Sequence, residues 1–342
     1  MNFNTPGIAG NLRISSFSNA YGVYVFSVLA CSRLWGGRGS RRAVLPASGV
    51  RATAMIPRAN NHCKEMERRI SLLKSSWLLM FWSMGPAAFA GETSPEARTS
   101  KRFGTECREF NVDGRYAFVL LPTSPADDGT KPWLWYAPTF EGGHPEPSLG
   151  WLFTRLLQNG FAIAGIDVGE SYGSPQGRKS YTMLYEHLRQ RHGLAAQASL
   201  LPQSRGGLML YNWAAENPEK VKCIGGIYTV CDLESYPGLA RACGAYGLTE
   251  SQLRQQLADH NPVQRLAPLA RTRIPILHVH GDADVGVPLE PNSAELVKRY
   301  RELAGPAELI VVRGKGHEVI PEFFENQRLI DFFLNGGDHA SP

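Results

Sequence analysis

The chain is short of the residues that staple or metallate a fold. Its 342 residues hold six cysteines, with no C-x-x-C pair and no His/Cys cluster at ligand spacing, so a structural zinc site is excluded. Long apolar runs are also missing. The segment Trp77–Met84 is too short to cross a bilayer. There is no internal repeat that would mark a solenoid or propeller. There is no basic stripe either. The formal net charge of +5 is unevenly spread, because residues 1–90 carry 11 Lys/Arg against 2 Asp/Glu and residues 91–342 carry 25 against 29. The larger part is mildly acidic, which excludes a nucleic-acid partner. What is present is an ordinary apolar fraction of 43%, enough for a real core.

The first 90 residues read as two pieces. Residues 1–65 are rich in Gly, Ser, Arg and Asn without sustained period, as in Gly36-Gly37-Arg38-Gly39-Ser40-Arg41-Arg42, and cannot form a core. They read as an over-extended reading frame. From Met66 the order changes: Arg68, Arg69 and Lys74 are followed by the apolar Trp77–Met84 and by Ala88-Phe89-Ala90 ahead of Gly91. A charged region, an apolar core and an A-x-A site make residues 66–90 a secretory signal peptide. The expectation is an exported protein, periplasmic or extracellular, whose mature domain is 91–342. A buried helix or a signal anchor is the alternative. Leu29-Ala30-Cys31 resembles a lipoprotein cleavage box, but only Arg13 precedes its apolar run. Export permits disulfides, and Cys231 with Cys243 is the candidate pair, set against free buried thiols.

From about Lys101 strands and helices alternate. Glu109–Val112 and Tyr116–Leu121 flank Asp113-Gly114, a hairpin signal. Trp133–Ala137, Phe161–Val168, Ala198–Leu201, Val221–Val230, Ile274–His280 and Leu309–Val312 read as buried strands. Leu149–Gln158, Tyr181–Arg191, Arg205–Ala215, Ser293–Ala304 and Pro321–Leu334 read as helices, with Asn292 as a cap. A hairpin followed by β-α alternation predicts an α/β fold, a mostly parallel sheet flanked by helices. Ligands then bind beyond the carboxyl ends of the strands. The irregular, helix-prone residues 233–269 are the expected small lid insertion, within a core of about 109–334.

The chemistry gathers at strand ends. Leu200-Leu201-Pro202-Gln203-Ser204-Arg205-Gly206-Gly207 is an apolar run ending in a serine, with small residues before a helix. That is the layout of a nucleophile elbow. The other reading of Ser204 is a helix N-cap. A serine hydroxyl needs a base, and His317 follows two glycines in Gly314-Lys315-Gly316-His317, after the last strand. His278 and His280, on a strand, are expected to satisfy local hydrogen bonds. His144, near the loop after Trp133–Ala137, is a lesser candidate for touching substrate. For the acid there are three candidates, Asp284, Asp282 and Asp232; Asp282 also reads as a turn stabiliser. The oxyanion hole is expected from the backbone N–H of Arg205, after the nucleophile, and of Phe140 in the loop after Trp133–Ala137, with Thr139 as the alternative. Pro138 has no N–H to offer. Glu170 and Tyr172 read as a solvated loop, with pocket lining as the alternative.

The stretch Ser204–Leu208 with Tyr211–Ala215, and Ile276–Asp284 with Val287-Pro288, resemble the α/β-hydrolase superfamily. The nearer likeness is to secreted bacterial prolyl-oligopeptidase-like and carbohydrate-esterase-like members. Pro202 departs from the pattern, which has a small residue, often glycine, two before the nucleophile. The resemblance implies a Ser204, Asp284, His317 triad with no cofactor and no metal, acting on a small-molecule or carbohydrate ester. An ester is favoured over a peptide because the chain lacks room for a propeller domain. The alternatives are a small exopeptidase or amidase, and a non-catalytic binding protein on a hydrolase scaffold.

Overall fold

A computed structural model describes residues 98–124, 126, 130–139 and 145–337. The segments assigned above to an extension and a signal peptide lie outside the described residues, as does Phe140. Nine strands form one sheet: β1 Arg98–Arg102, β2 Thr105–Val112, β3 Arg115–Leu120, β4 Trp133–Ala137, β5 Ala162–Ile166, β6 Ala198–Pro202, β7 Val221–Ile227, β8 Ile276–Gly281 and β9 Ala307–Val312, in the order β1-β2-β3-β5-β4-β6-β7-β8-β9. β1 to β3 are antiparallel and join β5 antiparallel; from β5 to β9 all pairs are parallel. The hairpin turns at Asp113 and Gly114, with φ 52° and 73°, the two left-handed residues that a two-residue turn needs.

The strands alternate with helices α1 Gly150–Gln158, α2 Pro175–His187, α3 Gly206–Glu216, α4 Leu239–Tyr246, α5 Glu250–Gln255, α6 Ala267–Arg271, α7 Glu295–Glu302, α8 Pro321–Phe324 and α9 Gln327–Leu334. Period-two alternation splits the central strands between two cores. Trp133, Trp135 and Ala137 of β4 join Tyr181, Trp213 and Tyr300 on one face. Leu134 and Tyr136 join Phe153, Phe332 and Phe333 on the other. Both faces of β4 are therefore covered, as a parallel strand requires.

Several elements differ from expectation. β1 was not foreseen. α2 starts at Pro175, earlier than Tyr181, because Ser174 caps Gly177 N–H and proline sits in the first turn. The last helix is two: the first ends at Phe324, with Glu325 as its C-cap, and Asn326 caps Leu329 N–H of the next. Asn292 does not cap a helix. It is buried, and its Oδ1 accepts from Cys231 N, Asp232 N and Ser235 Oγ, pinning the exit of β7. Cys231 and Cys243 are free thiols. No helix among the described residues is long and apolar enough to cross a membrane.

The order of strands places the site. From β4 the chain goes out to β5 on one side, and from β6 to β7 on the other. The connections diverge between β4 and β6, which opens a crevice at their carboxyl ends.

Candidate active site

Ser204 stands at the end of β6, in that crevice, with φ 50°. A left-handed backbone is uncommon for a residue with a β-carbon, and here hydrogen bonds on both sides hold it. Ser204 N donates to Ile227 O at 3.0 Å, and Val230 N donates to Ser204 O at 2.8 Å. α3 starts at once, packed tightly on its neighbours. A β-carbon on Gly206 would lie 2.1 Å from Ala137 O, and one on Gly207 2.1 Å from Val230 O, so no larger residue fits either position. Pro202 is accommodated as the last residue of β6, paired with Ala137. Gln203 N makes the next backbone bond, to Ala137 O at 2.8 Å.

The serine meets its partners from two other strand ends. Ser204 Oγ lies 3.0 Å from His317 Nε2, and His317 Nδ1 lies 2.7 Å from Asp284 Oδ2. A carboxylate accepts only, so Nδ1 carries the hydrogen and Nε2 offers a lone pair to the serine hydroxyl. Asp284 Oδ1 accepts from Gly286 N at 2.9 Å and Val287 N at 2.7 Å. Burial works to raise the Asp284 pKa, yet hydrogen bonds from His280, His317 and Val287 N–H outweigh it and hold the carboxyl well below its ordinary range. The acid therefore stays ionised beneath a half-exposed imidazole.

The two loops that carry Asp284 and His317 are fastened together. A β-carbon on Gly281 would fall 2.1 Å from Lys315 O, and Ala283 N donates to that same oxygen at 3.0 Å. Asp282 accepts from Gly314 N at 2.6 Å and from Arg313 at 3.0 Å, which makes it a clasp between the loops. Asp232 is turned elsewhere. Its carboxylate accepts from Asn261 Nδ2 and from the N–H groups of Glu234 and Ser235. Of the three acid candidates only Asp284 reaches His317.

Around the serine is a cavity of about 190 Å³ lined by Tyr136, Glu146, Gln203, Tyr228 and Val319 among others. Its floor is a hydrogen-bonded row: Tyr136 hydroxyl donates to Gln203 Oε1 at 2.9 Å, and Gln203 Nε2 donates to Tyr228 hydroxyl at 3.0 Å. The Tyr228 ring lies 4.2 Å from the His317 ring. None of these four polar residues was singled out from sequence. Tyr228, read from sequence as inside the strand Val221–Val230, directly follows β7 in the structure, as Gln203 follows β6. At the rim Arg205 pairs with Glu170 at 3.1 Å; such an exposed pair contributes about 0–1 kcal/mol and mainly orients the guanidinium. Tyr172 is buried, not solvated, and its carbonyl accepts from Tyr246. Thr139 Oγ1 donates to Ile166 O. His144 lies outside the described residues. A larger cavity of about 980 Å³, lined by Trp133, Gln197 and Lys222, lies at the amino ends of the strands, away from Ser204. Among the described residues no group of three or more His, Cys, Asp or Glu could hold a metal.

Known structures share this architecture. Est1E from Butyrivibrio proteoclasticus superposes with a TM-score of 0.51 at 17% identity, over 70% of this chain and 98% of that one. An S-formylglutathione hydrolase from Agrobacterium tumefaciens gives 0.53 at 15%, over 71% and 99%. The fold is that of the α/β-hydrolases. Porphyromonas gingivalis dipeptidyl peptidase 4 also matches, with a TM-score of 0.54 at 15% identity, over 68% of this chain. The chain spans only 35% of that peptidase's length. The model of the prolyl oligopeptidase family matches residues 195–335, the stretch that carries Ser204, Asp284 and His317. No curated protein matches the sequence. The constellation is that of a serine hydrolase of the α/β-hydrolase type.

Proposed function

We propose that the protein is an exported serine hydrolase that cleaves a carboxylic ester through an acyl-enzyme, with Ser204 as nucleophile, His317 as base and Asp284 as acid. The observation that carries this is the unbroken chain Ser204–His317–Asp284, at 3.0 and 2.7 Å, on a left-handed serine before a buried helix. Ser204 Oγ attacks the carbonyl carbon and its proton passes to His317 Nε2. In this reading the developing oxyanion sits at the start of α3 and accepts from the Arg205 N–H, with Phe140 as the proposed second donor. His317 returns the proton to the leaving alcohol. Water, deprotonated by His317, then attacks the acyl-serine, releases the acid and restores the hydroxyl.

The pocket favours a polar group beside the ester. Its hydroxyls, its amide and the Glu146 carboxylate suit a partner with hydroxyls, as a sugar ester has. A second reading rests on Glu146. A carboxylate in the pocket would hold a free amine, as an aminoacyl amide or a short peptide presents, and a dipeptidyl peptidase is among the similar structures. A panel of short-chain esters, acetylated sugars and aminoacyl amides separates the two. The ester reading expects turnover of esters with little on amides; efficient release of an amine, lost in Glu146→Gln, would decide for the peptidase.

Export rests on the charged, apolar and Ala88-Phe89-Ala90 pattern. N-terminal sequencing of protein from the native host is expected to start at or near Gly91. Residues 1–65 found intact on exported protein would refute both the start site and the signal.

A further inference from the structure

Behind the triad acid, on the side away from solvent, runs a row of polar groups that the hydrolysis itself does not use. Tyr211 hydroxyl lies 2.7 Å from His278 Nε2, and His278 Nδ1 lies 2.9 Å from Ser293 Oγ. Ser293 Oγ lies 2.7 Å from His280 Nδ1, and His280 Nε2 lies 2.9 Å from Val287 O and 3.5 Å from Asp284 Oδ2. Four elements contribute: α3, β8, the turn before α7 and the loop after β8. All four side chains are buried, Tyr211 at 1% exposure and the other three at 0%.

For a neutral His280 the direction of every bond in this row follows from its last member. Val287 O can only accept, so His280 must carry a hydrogen on Nε2. Neutral His280 then has a lone pair on Nδ1, and Ser293 must donate to it. With its one hydrogen committed, Ser293 must accept from His278, which therefore carries its hydrogen on Nδ1. His278 Nε2 is left with a lone pair, and Tyr211 donates to it. The opposite order would need a charged His280 and would turn the Tyr211 hydrogen away from His278 Nε2, its partner among the described residues. Burial also pushes the His278 pKa down to about 3, which keeps that link neutral.

We propose that His280 is a positioning residue for Asp284, and that Tyr211, His278 and Ser293 lock it in the one tautomer that presents an N–H to the loop of the acid. That N–H ties down Val287 O, and the N–H of the same Val287 holds Asp284 Oδ1. With Oδ1 fixed, Oδ2 points at His317. In the other neutral tautomer a lone pair would face Val287 O and Asp284 together, and the loop would be pushed off its position. The inference rests on Asp284 being the triad acid.

The test is a double-mutant cycle on the full chain with an activated ester, together with histidine-labelled NMR of the unmodified protein. Ser293→Ala removes the hydrogen that fixes the tautomer. It is expected to lower kcat roughly 10-fold while KM moves by less than about twofold, because a small misplacement of a catalytic group acts on the chemical step. His280→Gln keeps an N–H near the Nε2 position but cannot switch tautomers; it should keep most of the rate, and Ser293→Ala should add little in that background. NMR should find the His280 hydrogen on Nε2. A hydrogen on Nδ1, an unchanged kcat in Ser293→Ala, or the same loss in both backgrounds would overturn the proposal. An active Asp284→Asn would instead remove the acid, and this role with it. A dead Asp284→Asn beside a fully active Ser293→Ala removes the role alone.

Discussion

Ser204→Ala is expected to abolish ester hydrolysis, with a loss on the order of 10⁴-fold or more, because nucleophile and base act as a unit. The fold should survive. Among the described residues the hydroxyl pairs with His317, and the backbone bonds of the elbow come from Ser204 N and O, which alanine keeps. A fluorophosphonate probe reads the same change independently of substrate, since labelling needs only an activated serine. Labelling that persists in the variant would move the nucleophile to another residue and sink the assignment. Loss of labelling with an unchanged thermal melt is the expected pair of results. It also answers the reading of the protein as a pure binder, which has no need of an activated hydroxyl.

Asp284→Asn should lower kcat by roughly 10²–10⁴-fold. The amide leaves the shape of the loop almost unchanged but no longer provides two accepting oxygens. His317 loses its preferred tautomer, and the imidazolium formed during attack loses its counter-charge. Two neighbours serve as controls. Asp232→Asn should stay active, because its carboxylate serves the turn at Glu234–Ser235 and the Asn261 amide. Asp282→Asn should act on the melting temperature more than on turnover, since it loosens the clasp to Arg313 and Gly314. Activity with one activated ester, beside thermal melting, is the measurement. An inactive Asp232→Asn with an active Asp284→Asn would place the acid after β7.

The parts legible in the sequence were those written in contiguous residues. The nearly all-apolar run of α3, the serine ahead of two glycines, and a histidine after two glycines beyond the last strand each announce a local shape, and shapes at strand ends imply a common crevice. What was not legible depends on distant contacts. Tyr136 and Tyr228 meet through Gln203 only because β4, β6 and β7 lie side by side, and nothing in the neighbourhood of either tyrosine signals the other. Asn292 has the spacing of a helix cap, but the burial of its amide against the exit of β7 is a tertiary fact and overrides the local preference. His278 and His280 were expected to satisfy local hydrogen bonds. Their partners include Tyr211 on another element, so the direction of the chain through them could not be read before the fold was known. The single helix expected over Pro321–Leu334 failed for a local reason, the capping amide of Asn326 in mid-run.

The left-handed Ser204 has a meaning for how such a chain can change over time. A β-carbon in that conformation costs roughly 1–2 kcal/mol relative to glycine, a fair part of the 5–15 kcal/mol by which domains are stable. A lineage under pressure for robustness alone would drift towards glycine at this position and gain from it. In the proposed hydrolase it is the hydroxyl that would hold serine there against that margin. Relatives that have given up the reaction should therefore betray it first at residue 204, before the two loops behind it decay.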